Sequence, residues 1–402
     1  MEPTELVEEL CARIDRIDPL LYAFTPEPGR YLRLAAEARE LERRYGDRER
    51  PPLYGVPVAV KDVIHVDGLP THAGSALPPG LLAGPEATVV RRLRAAGALV
   101  AGKTVTAEFA LNAPGPTRNP VDPAHTPGGS SSGSAAAVAA GLVPLAVGTQ
   151  TVGSVIRPAA YCGVVGFCPS YGRIPADGLI ANAPSLDTVG IFAPDLPWVE
   201  RAAAVLFDDW RPSAVTERPP VLGVPVDYLE AVSPAGRDAF ERLRLTARRM
   251  KLPWSPAESA EDMWVISRYE LAQVHRELYP RFANLYRPET ASAIRHGQEI
   301  DPAAYTAALH ARSRYRRRLA ALTAAEGIDL WATPAATGPA PVGLESTGDA
   351  VMSLPWSHAG WPALTLPAGT VDGLPVGLQL VAPAGADEQL LRWAAGILPG
   401  GE

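Results

Sequence analysis

The chain has 402 residues, of which 47% are hydrophobic and 20% are charged, and its formal net charge is −7. This length and balance are typical of a soluble globular protein with a large core. The net negative charge argues against a general nucleic-acid-binding protein. The one basic run, at 312–318, lies in a helical pattern and predicts a solvated helix face, not a nucleic-acid or membrane site.

The cysteine spacing and the N-terminal sequence pattern indicate the cellular compartment in which the protein is found. The three cysteines have no CxxC spacing and the seven histidines no metal-site spacing, so we expect no disulfide framework and no metal centre. The first 21 residues predict an amphipathic helix and not a signal peptide. The longest small-apolar run, at 135–148, is broken by Gly141 and Pro144 and is too short to span a membrane. We therefore expect a cytoplasmic protein.

The elements follow one another in four stretches. Residues 1–50 predict two helices. Residues 53–192 alternate short apolar strands with helical patterns, which is typical of an α/β layered domain. Residues 196–325 are mostly helical, apart from a strand-like segment at 221–226. Strand patterns then return at 326–395.

This order predicts one domain, 1–402. Its core would be formed by 53–192 together with 326–395, and the helical segment at about 196–325 would be a variable excursion from that core. A second, independent domain is the less economical interpretation.

The segment GALVAGKT, 97–104, matches the P-loop pattern. A P-loop needs its turn across the four middle residues, but here these residues form an apolar run that follows a helical pattern. A phosphate cradle cannot also be a buried strand. We interpret the segment as a core strand and do not expect nucleotide binding.

Lys61 ends the apolar segment GVPVAVKD, 55–62. Burial of a lysine favours its neutral amine, which can act as a general base. The alternative is a lysine at a strand end that extends its ammonium group to water. From this segment alone, the second interpretation is the commoner one.

Two further segments carry hydroxyl and amide groups. TPGGSSSGSAAAVAAG, 126–141, has the composition of a linker, but it runs into a helical pattern, and a helix start with many N–H groups suits an anion or an oxyanion. TQTVGS, 149–154, follows a strand pattern, and its small residues could direct several N–H groups to one point. These groups would form an oxyanion hole from Thr151, Val152, Gly153 and Ser154.

In this order the segments resemble the amidase signature family of serine hydrolases. GVPVAVKD resembles the family's lysine motif, TPGGSSSGSAAAVAAG its serine-glycine signature, and GTQTVGSVIRPAAYCGVVGF its nucleophile segment. The resemblance covers nearly the whole chain except about 195–300. It implies the α/β amidase signature fold, in which a large mixed, mostly parallel β-sheet is covered by helices on both faces.

The resemblance also implies a Ser-cisSer-Lys triad. Ser154 would be the nucleophile, Ser130 the bridging serine after a cis bond to Gly129, and Lys61 the base. An acyl-enzyme would form and be hydrolysed by water. The resemblance assigns Gly129 and Ser131 to substrate binding, and it implies no metal or organic cofactor.

Arg157 points to a substrate class. Much of the family has an arginine two residues after the nucleophile, whereas Arg157 lies three residues after Ser154. This order is similar to that of malonamidase-type short amidases, in which the matching arginine binds the substrate's free carboxylate. It predicts a small carboxylate-bearing amide such as malonamate. The alternative is a structural salt bridge within the loop.

Departures from the family pattern leave the substrate open. Gln150 stands where an aspartate is frequent, Val152 and Ser132 stand in place of glycines, and Cys168 stands where a lysine is common. A broad hydrolase of aryl amides, carbamates or esters is therefore a second hypothesis. A third is an amidotransferase subunit that passes ammonia to a second active site in a complex. The family also implies a possible homodimer.

Overall fold

The computed structural model describes residues 2–46, 48–212 and 218–397. Its α-helices are Pro3–Leu21 (α1), Arg30–Tyr45 (α2), Thr88–Ala95 (α3), Ser132–Ala139 (α4), Ile156–Cys162 (α5), Leu196–Leu206 (α6), Pro234–Arg242 (α7), Pro256–Val274 (α8), Tyr279–Phe282 (α9), Pro288–Gln298 (α10), Pro302–Ala325 (α11), Leu354–Ala359 (α12) and Asp387–Ala394 (α13). Its β-strands are Pro57–Lys61 (β1), Leu99–Thr104 (β2), Leu145–Gln150 (β3), Val165–Cys168 (β4), Thr188–Ala193 (β5), Leu222–Pro225 (β6), Ala247–Met250 (β7), Leu330–Pro334 (β8), Ala363–Val371 (β9) and Leu374–Val381 (β10).

The described strands form a sheet of 10 strands in the order β2-β1-β3-β5-β4-β9-β10-β8-β6-β7. The outer parts are parallel: β2, β1 and β3 at one side, and β8, β6 and β7 at the other. From β3 to β8 the neighbours are antiparallel, because β5 and β4 return across the centre and β9 and β10 form a hairpin. The mixed sheet is confirmed, but the expectation of a mostly parallel sheet is wrong, because five of the nine described strand pairs are antiparallel.

Helices cover both faces of this sheet, as expected. Helix α4 packs on β1, β2, β3 and β5, and α5 packs on β4, β9 and β10. Helices α3 and α6 pack on each other, α3 also on β2, and α6 also on β5 and β4. The excursion also contributes strands, since β6 and β7 extend the sheet beyond β8. Its helices α10 and α11 both pack against α8, and α12 contacts α8 and α11.

The supposed P-loop is a core strand. All residues of β2 are buried, and Lys103 Nζ lies 2.8 Å from the carboxylate of Asp62. Buried groups that already pair with each other cannot form a phosphate cradle. The interpretation of 97–104 as a strand is therefore confirmed.

The basic run on α11 is only partly solvated. Arg314, Arg317 and Arg318 are exposed, but Arg312 is buried and its Nε donates to the carbonyl of His358 at 2.8 Å. The expectation of a solvated face is wrong at Arg312, because α11 packs against α12, which contains His358. None of the helices in the described ranges is long and apolar enough to cross a bilayer.

Candidate active site

Lys61 lies at the end of β1, where the parallel neighbour β3 brings Thr149 beside it. The lysine side chain is fully buried. Its Nζ donates to Ser130 Oγ and to Thr149 Oγ1, each at 2.8 Å. The amine thus faces two hydroxyl groups inside the protein, and the alternative of a lysine that reaches water is wrong.

The surroundings favour the neutral amine of Lys61. Burial lowers its pKa to about 7, an effect that the charge of Asp187 opposes and the charge of Arg157 reinforces. Near neutral pH a large share of the amine therefore carries no extra proton. Such an amine can accept one from a neighbouring hydroxyl.

The serine-glycine segment turns into α4 beside Lys61. The Gly129–Ser130 bond is cis, and the backbone oxygen of Ser130 accepts from Ala107 N at 3.0 Å. Gly128 has φ +79°, and a Cβ there would lie 2.8 Å from Pro158 Cα. The segment therefore runs directly against α5, at a position where only glycine fits.

The two residues assigned to substrate binding in this segment both have protein contacts. Ser131 is fully buried, and its hydroxyl donates to Thr149 O at 3.1 Å and accepts from Thr149 N at 3.4 Å. The carbonyl of Gly129 accepts from Arg157 Nη2 at 2.7 Å. The Ser131 side chain thus holds β3, which leaves only its backbone available to a substrate.

The segment 151–155, here called the nucleophile loop, joins β3 to α5. Ser154 is 8% exposed. Among the described residues, no hydrogen bond involves its hydroxyl, and the N–H groups of Val152, Gly153 and Ser154 donate to no protein acceptor. Free donors beside a free hydroxyl suit a developing oxyanion.

Two side chains outside the nucleophile loop hold it. Gln150 Oε1 accepts from Val155 N at 2.8 Å and from Ile156 N at 3.1 Å. Gln150 Nε2 donates to Ser357 Oγ at 3.1 Å, and Ser357 Oγ donates to Val152 O at 2.6 Å. The sequence marked Gln150 only as a departure, and nothing in the α12 segment indicated Ser357.

Asp187 is another residue of the site that sequence reasoning missed. It accepts from Thr151 Oγ1 at 2.5 Å, from Asn182 N at 2.7 Å and from Ala183 N at 3.0 Å. Burial nevertheless raises its pKa to about 6. Its one sequence signal is a lone aspartate directly before a buried strand.

Arg157 is buried in α5 without an acidic partner. Its Nε donates to Thr347 O at 2.6 Å, and its Nη2 donates to Gly129 O. Its Nη1 is buried without a hydrogen-bond partner, and within the described ranges no carboxylate lies within 4.0 Å of the guanidinium. The structural salt bridge considered above is therefore not found.

A cavity of about 610 Å³ has Arg157 on its wall. A methyl group placed on Gly153 would lie 3.0 Å from Arg157 Nη1, so the free nitrogen is close to the nucleophile loop. Trp264 also lines this cavity. Three carboxylates share the wall: Glu289, Glu345 and Asp349.

Four other aromatic residues of the excursion contact one another in pairs. Tyr269 stacks on Tyr305 with ring centroids 4.2 Å apart, and Tyr279 meets Tyr286 edge to face.

No group of three or more His, Cys, Asp or Glu side chains in the described ranges is placed to hold a metal ion.

Comparison with known proteins identifies the family. A profile of the amidase family matches residues 5–391. A glutamyl-tRNA(Gln) amidotransferase subunit from Symbiobacterium thermophilum is 34% identical, over 98% of this chain and 93% of its own.

Solved structures that resemble this chain include amidases. One described as an amidase is 34% identical with a TM-score of 0.88 and covers 99% of this chain and 97% of its own. Native peptide amidase from Stenotrophomonas maltophilia is 29% identical with a TM-score of 0.82, over 99% of this chain and 93% of its own. The chain belongs to the amidase family and is an amidohydrolase.

Proposed function

We propose that the chain cleaves amides with Ser154 as nucleophile, Ser130 as bridging serine and Lys61 as base. The observation that carries this proposal is the buried amine of Lys61, 2.8 Å from Ser130 Oγ, with its pKa lowered to about 7. Buried, pKa-shifted groups in contact with a hydroxyl are suited to activating a nucleophile.

The proposed reaction begins when neutral Lys61 takes a proton from Ser130 as Ser130 takes one from Ser154. Ser154 Oγ bonds to the amide carbon, and the oxyanion accepts hydrogen bonds from N–H groups of the nucleophile loop. Ser130 then gives a proton to the amide nitrogen, and Lys61 returns one to Ser130 as the C–N bond breaks. Water attacks the acyl-enzyme by the same proton route and frees the acid.

We propose further that the substrate is a small amide whose acyl part carries a carboxylate. Arg157 Nη1 is buried and unpaired, and a buried guanidinium donor favours an anionic acceptor. A carboxylate held there would orient a short acyl chain against Ser154. Similarity to malonamidases in particular stays a proposal that rests on Arg157.

The test is ammonia release from malonamate and from 3-methylbutanamide, a neutral amide of nearly the same shape. We expect malonamate to be preferred, and Arg157→Ala to lower its kcat/KM by about 10- to 100-fold, the value of a hydrogen bond to a charged group. The neutral amide should change little.

The neutral amide is also the internal control, because Arg157 holds Gly129 and Thr347. Equal losses of kcat/KM for both amides would show that Arg157 has a structural role and would contradict the carboxylate proposal. If aryl amides or esters react fastest and Arg157→Ala does not alter the order, the chain is instead a broad hydrolase.

A second candidate is the glutamine-cleaving component of an amidotransferase. The relatives include amidotransferase subunits, and the cavity beside Arg157 is lined by three carboxylates that suit an ammonium group. Glutamine carries both a carboxylate and an ammonium group. Preference for glutamine over malonamate, with partner subunits co-purifying, would support this candidate. A homodimer or monomer that favours malonamate would contradict it.

A further inference from the structure

Two carbonyl groups of the nucleophile loop are held by hydrogen bonds, and this fixes the direction of two of its free N–H groups. Ser357 Oγ donates to Val152 O at 2.6 Å, and Arg157 N donates to Gly153 O at 3.0 Å. A trans peptide group is planar, and its C=O and N–H point in opposite directions. Holding Val152 O therefore fixes the direction of the Gly153 N–H, and holding Gly153 O fixes that of the Ser154 N–H.

Gln150 determines what the Ser357 hydroxyl can do. Its Oε1 already accepts two backbone N–H groups, so its Nε2 must be the atom that faces Ser357 Oγ at 3.1 Å. An amide nitrogen donates and cannot accept. The single hydroxyl proton of Ser357 is thus left for Val152 O.

A carboxylate at position 150 would reverse this arrangement. It could still accept from Val155 N and Ile156 N, but its oxygen would compete with Val152 O for the Ser357 proton, and a charged acceptor wins that competition. The amide of Gln150 and the hydroxyl of Ser357 therefore form one unit.

We propose that Gln150 and Ser357 are positioning residues that aim the Gly153 N–H at the reaction's oxyanion. They act through the backbone and touch no reacting atom. The inference rests on the proposed function, since it takes Ser154 as the nucleophile.

The test uses diisopropyl fluorophosphate, which phosphorylates an activated serine whatever the natural substrate is. Ser154 Oγ bonds to phosphorus, fluoride leaves, and the serine proton passes to the base. We expect Ser357→Ala and Gln150→Glu each to lower the second-order labelling rate, and kcat for the preferred amide, by about 10- to 100-fold, somewhat less than loss of a whole oxyanion donor. KM should change by less than about threefold, because ground-state binding is untouched.

Three controls separate positioning from mere stability. Ser357→Thr keeps the hydroxyl and should restore the rate to within about threefold. Ser259→Ala removes another buried hydroxyl, one that accepts from Tyr228, and should leave the labelling rate unchanged. The double variant Gln150→Glu/Ser357→Ala should be no slower than the slower single variant, because both act on one peptide group.

A pH profile of kcat/KM tests whether the loss of rate comes from a changed pKa of the base. The acid limb of kcat/KM in Ser357→Ala should match the wild type, because no charge is altered. A labelling rate in Ser357→Ala equal to that of the wild type would overturn the inference, and so would additive losses of rate in the double variant. Neither result would alter the assignment of Ser154 as nucleophile. Full activity of Ser154→Ala would overturn the proposed function and this inference together.

Discussion

At the scale of single residues, the site depends on how charges are distributed around one buried amine. Lys61 has no carboxylate within hydrogen-bond distance among the described residues, and its nearest partners are the hydroxyls of Ser130 and Thr149. Asp187 acts on it from farther away and raises its pKa, while burial and Arg157 lower it. The pKa of about 7 is the balance of these effects.

This balance predicts the pH dependence of the reaction. The neutral amine is the base, so kcat/KM should rise with pH through an apparent pKa of about 7 and then level off. In Asp187→Asn the negative charge is lost, the pKa of Lys61 falls further, and the acid limb should move to lower pH.

The measurement is a kcat/KM profile for wild type, Asp187→Asn and Asp349→Asn. Asp349 is exposed and acts on Arg157, not on Lys61, so its variant should keep the wild-type limb. A limb in Asp187→Asn that stays in place or moves to higher pH would contradict this account.

At the scale of elements, the position of α4 decides whether Ser130 reaches Lys61, because Ser130 lies just before α4. Helix α4 must therefore lie close to the end of β2, the strand that pairs with β1. A Cβ on Gly133 would lie 2.1 Å from Ala23 O and 2.6 Å from Val105 N. Both are backbone atoms that cannot rotate away, so the helix itself would have to move.

Gly133→Ala should therefore lower the free energy of unfolding by about 3 kcal/mol, at the upper end of the usual cost of overpacking. Urea unfolding gives this quantity. Gly80→Ala is the matched control, because a Cβ there meets no atom within 4 Å. Equal stability of the two variants would show that α4 does not pack as described.

Local sequence patterns predicted where helices and strands lie, but they did not predict which of these elements contact each other. Apolar runs indicated β1 and β2, and the turn from 126–141 into a helix is α4. The strand β7 was not predicted, because ARRM has no apolar alternation. The burial of Arg312 was missed for a similar reason, since its partner His358 is 46 residues away.

At the scale of the whole molecule, one sheet joins the two ends of the chain. β1 to β5 precede the excursion and β8 to β10 follow it, yet β4 pairs directly with β9. We propose a single domain on this basis, with β6 and β7 as an extension of the core sheet.

The candidate site also combines distant parts of this one chain. Lys61 comes from β1, Ser154 follows β3, and Ser357 lies 205 residues after Val152, which it holds. The resemblance to the amidase signature family predicted Lys61, Ser130 and Ser154, because each lies in a segment that matches a motif of that family. They did not predict Ser357 or Asp187, whose roles arise only from contacts made on folding. Since one chain supplies all these groups, the isolated chain should be active.

The most direct test of this account is amide hydrolysis by the purified chain and by Ser154→Ala. Ammonia release would be followed over malonamate, glutamine and their neutral analogues, with urea unfolding to establish that the variant is folded. We predict that the wild type turns over at least one of these amides and that Ser154→Ala, equally stable, has no activity above the blank. Appreciable hydrolysis by Ser154→Ala would contradict the assignment of the nucleophile and the mechanism built on it.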